Sequence, residues 1–145
     1  MSSEHFRKLE RMYLLANVNT LLFDTTTAHI SNGKAEIGLT VVPKYFHALN
    51  AMHGSVYFKL LDDAAFFSVN SVVEDFFVLT KSFEIHFKRP VTGGKILAKG
   101  ELVSSNGELF VAKSELMNET GKVVGYGHGE FVKIKVKLNP DIVNL

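Results

Sequence analysis

The stretch from Gly54 to about Ser71 is apolar around nearly its whole circumference, broken mainly by Lys59, Asp62, Asp63 and Asn70. A helix with that pattern has almost no face to give to water, so it is buried on most sides. It falls short of the ~20 apolar residues that a membrane span needs. The remainder of the chain must therefore wrap it.

The wrapping material is strand-like. Leu21 to Pro43 divides at Ser31-Asn32-Gly33, which predicts a hairpin turning at Asn-Gly. Lys44 to Met52 reads as an irregular loop. From Phe76 the period becomes two: Phe77, Leu79, Phe83, Ile85 and Phe87 face one way, and Thr80, Ser82, Glu84, His86 and Lys88 the other, up to Arg89-Pro90. Three further runs, Lys95–Val103, Glu108–Met117 and Lys122–Lys137, are separated by Ser104-Ser105-Asn106-Gly107 and Asn118-Glu119-Thr120-Gly121, which predicts a meander. Ahead of everything, Phe6, Leu9, Met12, Tyr13 and Leu14 recur at helical spacing between Glu4 and about Val18, an amphipathic cover. The order is helix, two strands, buried helix, four strands. It predicts one α+β domain over residues 1–145, a curved antiparallel sheet around a central buried helix with an N-terminal cover helix.

Composition narrows the chemistry. There is no cysteine, which removes disulfides, a thiol nucleophile and zinc ribbons. Sixteen basic residues against fifteen acidic ones create no field that would gather nucleic acid or an anionic membrane. The charged N-terminus has no signal-peptide core, so the expected location is the cytoplasm. Twelve Phe and no Trp imply aromatic packing in the core, with Phe58 and Phe66 on the buried helix also placed to meet an apolar substrate. Metal is not expected: His47 and His53 have no acidic partner at a familiar spacing, and His86 and His128 lie on separate strands.

On the central helix, Asp63 has Lys59 one turn before it and reads as an i,i+4 ion pair. Asp62 sits beside Phe58, Ala65, Phe66 and Val69, where a carboxylate is destabilised in its charged form and suits work as base or nucleophile. A backbone cap or a pairing with a strand residue would account for Asp62 equally well. His53-Gly54-Ser55 opens the helix, where unpaired amides carry partial positive charge and Gly admits close approach, a site for a developing oxyanion. An ordinary helix start with Ser55 near the cap has the same sequence. Asp62 lies nine residues beyond His53, about 13 Å along a helix at 1.5 Å per residue. Both groups can act on one carbonyl only if two copies of the helix meet, which predicts a homodimer with sites between subunits.

His53-Gly54-Ser55 followed by Leu60-Leu61-Asp62-Asp63-Ala64 resembles the His-Gly-Gly then Asp signature of hotdog-fold thioesterases related to the phenylacetate-pathway thioesterase. Thr80 stands where that family carries Ser or Thr, and Arg89-Pro90 where it closes the same strand, so the likeness runs from about Thr20 to Lys135. The resemblance implies a hotdog fold, a homodimer or homotetramer, and acyl-coenzyme A hydrolysis without a metal or redox cofactor. It implies Asp62 as nucleophile or general base and the Gly54 amide of the facing subunit as oxyanion donor. Thr80 would position water or steady Asp62. Two positions depart from the pattern. Ser55 replaces the second Gly, keeping an amide while narrowing the approach, and His47, with Asn50 three residues on, replaces an upstream Asn that helps hold the substrate. Lys88 and Arg89, or Lys133, Lys135 and Lys137, are candidates for the coenzyme A phosphates; for the lysines a charged edge strand is the competing account. The alternative function is a non-catalytic acyl-thioester or lipid-binding hotdog protein. A dehydratase needs a His partner that Asp62 lacks in sequence, and nothing points to DNA binding.

Overall fold

The computed structural model describes residues 3–137, with side chains through 134. The N-terminal helix α1 (Ser3–Leu15) leads into a short π-helical turn (Val18–Leu22), then strands β1 (Thr27–Ser31) and β2 (Lys34–Val41). A 3-10 turn (Pro43–Tyr45) precedes the central helix α2 (Gly54–Asn70), followed by β3 (Phe76–Phe87), β4 (Gly94–Asn106), β5 (Leu109–Met117) and β6 (Val123–Lys137). The expected order stands. The cover helix ends at Leu15 rather than Val18, and the first hairpin arm begins at Thr27 rather than Leu21 because Val18–Leu22 is taken by the π turn.

The six strands form one antiparallel sheet in the order β1-β2-β4-β5-β6-β3. Since β2 lies near one end and β3 at the other, α2 carries the chain across the sheet, packing against β2 through β6 on the way. Leu60, Leu61, Ala64, Ala65 and Val69 on α2 are fully buried. Each large aliphatic side chain so covered contributes about 1.5–3 kcal/mol. The closest approach is at β4: a Cβ on Gly100 would stand 2.1 Å from the Ala64 carbonyl oxygen, so only glycine lets helix and strand meet there. On β5, Ser114 Oγ donates to the Leu61 carbonyl oxygen at 2.7 Å.

The two sheet edges are finished differently. At β1, Glu10 of α1 accepts from the Ile30 amide at 2.7 Å and Arg7 donates to the Ile30 carbonyl at 2.8 Å, so the cover helix satisfies part of that edge. At β3, no described element lies beyond the strand. β6 is interior, between β5 and β3, which overturns the edge-strand account of its lysines. Lys133 lies with its ammonium 4.5 Å from the Phe76 ring centroid, while the side chains of Lys135 and Lys137 are outside the described residues.

The uniform two-residue alternation expected along β3 is corrected by a register shift against β6 between Thr80 and Ser82. The irregularity moves the buried set from one parity to the other. Before it, Val78 is fully buried and Leu79 is exposed; after it, Phe83 and Ile85 pack on the core. Thr80, expected on the outer face with Glu84 and His86, therefore turns inward.

Candidate active site

That inward turn brings Thr80 to α2. Its hydroxyl donates to Asp62 Oδ1 at 2.9 Å, across 18 residues of sequence. Burial, first of all, pushes the Asp62 carboxyl up to about 6; the Thr80 bond and Lys59 pull it down, and the neighbouring Asp63 charge adds to the rise. A carboxylate poised there is ionised at neutral pH yet still basic, the property a general base or nucleophile requires.

Asp63, one residue on, faces α1. Its Oδ2 accepts from Lys59 Nζ and from the Tyr13 hydroxyl, each at 2.7 Å. Lys59 also donates to Asn19 Oδ1 at 2.8 Å and to the Tyr13 hydroxyl at 3.1 Å. Burial, then the Asp63 charge, holds the Tyr13 phenol far above its ordinary range, so it remains a donor. The Lys59–Asp63 spacing was visible in sequence. Tyr13 and Asn19 were not, because nothing local indicates which helix turn packs beside Lys59.

The start of α2 is built by His53. As N-cap it accepts the Ser55 amide on Nδ1 at 3.0 Å, and the same nitrogen lies 2.8 Å from Ser55 Oγ. The expectation that Ser55 keeps a free amide for an oxyanion is thereby corrected: the cap engages it. The Gly54 amide has no hydrogen-bond partner among the described residues. Its Cα lies against Phe87, whose ring would meet a Cβ on Gly54 at 3.2 Å.

Around this helix start the structure forms two clefts. One, of about 360 Å³, is lined by His47, Gly54, Tyr57, Phe87, Lys88 and Arg89, so four of the anticipated site residues come together. Tyr57 and Phe87 were not anticipated; the Tyr57 hydroxyl donates to the Arg89 carbonyl at 2.7 Å, and the two rings meet edge to face at 5.1 Å. The other, of about 480 Å³, takes in His53 and Ser55 with Leu21, Leu22, Phe46 and Val56. Asp62 lines neither. A larger cleft of about 720 Å³ lies on the outer sheet face among Lys99, Glu101 and Lys113, away from α2.

The remaining anticipated residues have mainly local roles. Asn50 adopts a left-handed conformation at φ 60° and donates its amide to the His47 carbonyl, a turn that explains Asn there on conformational grounds. His47 Nδ1 accepts the Leu49 amide at 3.0 Å. Phe58 is 40% exposed and meets Phe83 edge to face, leaving a ring surface open. Phe66 instead packs between the two halves of the core, beside Phe67 and Phe131.

Residues 49–125 match the family model described as the thioesterase superfamily. No curated protein is matched by sequence. Among solved structures, the Escherichia coli PaaI protein from the phenylacetic acid degradation operon superposes with a TM-score of 0.84 at 21% identity, covering 95% of this chain and 99% of that one. A point mutant of the phenylacetic acid degradation protein PaaI from Thermus thermophilus gives 0.71 at 19% identity, over 81% of this chain and 97% of its own. A Streptococcus mutans protein bound to acetyl CoA gives 0.72 at 18% identity, over 81% and 94%. The shared architecture is the hotdog fold.

Proposed function

From the premise that the chain belongs to the thioesterase superfamily and is a thioester hydrolase, we propose that it cleaves acyl-coenzyme A to a carboxylate and free coenzyme A, with Asp62 as general base or nucleophile. The observation that carries this is the Asp62–Thr80 pair: a carboxyl raised to about 6 by burial, held by a hydroxyl from a different element. As base, Asp62 takes a proton from water, which attacks the thioester carbon; the C–S bond breaks and the proton passes to the departing coenzyme A thiolate. As nucleophile, its oxygen attacks directly and expels that thiolate to leave a mixed anhydride, which water then opens to the carboxylate and free Asp62. Either route places negative charge on the carbonyl oxygen, which the free Gly54 amide and the positive end of α2 would stabilise.

Gly54 and Asp62 are eight residues apart on one helix, about 12 Å at 1.5 Å per residue, too far to serve one carbonyl. A site between two subunits resolves this, one supplying Asp62 and the other Gly54. The uncovered edge of the twelve-residue β3 supports such pairing, since a long open edge is a template for another strand. In this reading the whole chain, 1–145, is one domain of a homodimer or a higher assembly of dimers, and Lys88 and Arg89 beside Gly54 meet the coenzyme A phosphates. The acetyl CoA held by the Streptococcus mutans relative supports that substrate class. Among the described residues, no helix is long and apolar enough to cross a membrane.

A subunit-mixing assay tests the reading against a panel of acyl-CoA esters with detection of the free thiol. Asp62→Asn and Gly54→Pro, which removes the amide hydrogen at a helix position that tolerates proline, should each be inactive. Co-refolded, they should regain activity, because one of the two sites in a mixed dimer has both native groups. Failure of the mixture to recover, with mixed dimers present, would mean that Asp62 and Gly54 of facing subunits do not share a site. Binding of an ester without cleavage by the native protein would favour a non-catalytic acyl-thioester binder instead.

A further inference from the structure

The outer face of the sheet carries a group of side chains that the hydrolytic reading does not use. Glu84 and His86 stand two residues apart on β3 and share a face, and His128 on β6 is paired in register with Glu84. Glu84 Oε2 lies 2.7 Å from His86 Nε2 and 3.5 Å from His128 Nε2. One ligand-capable atom from each of the three falls within 4.8 Å of the others. The sequence placed the two histidines on separate strands and set them aside; those strands are neighbours.

Two features of the fold hold the cluster in place. β6 runs Gly125-Tyr126-Gly127-His128-Gly129, and its glycines face inward because a Cβ at Gly127 or Gly129 would come 2.6 or 2.5 Å from the Phe83 ring. The intervening Tyr126 and His128 are thus directed outward by the strand pleat. On β3, the His86 ring stacks on Tyr126 with centroids 4.8 Å apart and planes 13° from parallel, while its Nε2 meets Glu84.

We propose that Glu84, His86 and His128 form a binding site for a divalent transition-metal ion of the Zn²⁺ class, held between β3 and β6 by two imidazole nitrogens and one carboxylate oxygen. That donor set suits borderline ions rather than Ca²⁺ or Mg²⁺, which take oxygen. Ligands about 2.1 Å from a tetrahedral ion stand about 3.4 Å from one another. The Glu84–His128 pair is already near that spacing, and rotation of the exposed side chains widens the Glu84–His86 pair from 2.7 Å and sets the two imidazoles about the ion. The remaining coordination positions open to water. Lys113, opposite His128 on β5, works against a cation, and Glu130, two residues along β6, works for it. The site lies on the face of β3 away from the Asp62–Thr80 pair, so its ion would fasten an edge strand to its neighbour rather than touch the thioester.

The test uses the full chain, freed of metal by a chelator and titrated separately with Co²⁺, followed by visible absorption, and Zn²⁺, followed by calorimetry and thermal unfolding. A single saturable ion per chain is expected, bound more than about tenfold more weakly by His86→Ala and by His128→Ala. Zn²⁺ should raise the unfolding temperature of the native protein and leave that of the doubly substituted protein unchanged, because the ligands come together only in the folded sheet. Without metal, both variants should hydrolyse acyl-CoA at the native rate. Absence of saturable binding, or binding that either histidine variant retains at full strength, would overturn the proposal.

Discussion

Asp62 and Asp63 are adjacent in sequence, half-buried on the same helix, and set in opposite surroundings. Asp63 turns toward α1 into a closed set of donors, Lys59 and Tyr13, with Lys59 and Asp63 side chains only 14% and 22% exposed. Asp62 turns toward β3, has the Thr80 hydroxyl as its one hydrogen-bond partner among the described residues, and carries a raised carboxyl. One residue advances a helix by about 100°, enough to carry a side chain from one packed layer to another. The charge on Asp63 is balanced and committed to joining two helices. The charge on Asp62 is less well compensated, which is why burial leaves its carboxyl raised.

If that contrast is right, the two asparagine variants should fail in different ways. Asp62→Asn should lower kcat/KM for acyl-CoA by about a thousandfold or more while the protein stays folded, whereas Asp63→Asn should keep activity within about tenfold at temperatures where it is folded. Equal losses in both would dissolve the distinction. Conversely, Asp63→Asn should cost about 2–3 kcal/mol of stability in urea unfolding, since it leaves the Lys59 ammonium half-buried with only neutral acceptors. A cost near zero would mean that the α1–α2 network is incidental.

The pH dependence sharpens the comparison further. A carboxyl whose folded-state pKa is raised destabilises the fold wherever it is ionised. Replacing Asp62 by Asn should therefore stabilise the protein at pH 8, by at most about 3 kcal/mol for a rise from 3.8 to about 6. The gain should shrink as pH falls through 6 and vanish below about 4, where Asp62 is protonated both folded and unfolded. A gain that persists at pH 4 would point to packing instead of charge. Native kcat/KM should rise with pH through about 6 as the base ionises. The smallest effect is expected for Thr80→Val: loss of the hydroxyl that favours the charged form should move that midpoint upward by about one pH unit. A downward movement or none would mean that Thr80 does not tune the Asp62 charge.

The central helix was legible because its apolar circumference admits one environment, and the meander because alternation and Asn-Gly turns act locally. Asp62 was legible as an expensive carboxylate, and Lys59–Asp63 as a helical pair, since both depend on spacing within one element. Thr80 was placed correctly beside Asp62 only through family resemblance. The strand pattern alone put it on the outer face, because an irregularity at residues 80–82 leaves no mark in a two-residue alternation. Ser55 was expected to offer an amide, and nothing in His53-Gly54-Ser55 indicates whether the histidine or a substrate will take it.

The sequence by itself determined the elements, their order and the buried helix, and marked Asp62 as a carboxylate set among apolar neighbours, because hydrophobic period and turn chemistry are written in neighbouring residues. The tertiary structure decided which atoms meet: Thr80 with Asp62, Tyr13 with Asp63, His53 with the Ser55 amide, His86 and His128 around Glu84. Each of these contacts depends on sheet order, register or rotamer, which are fixed by packing among distant segments and leave no periodic trace along the chain.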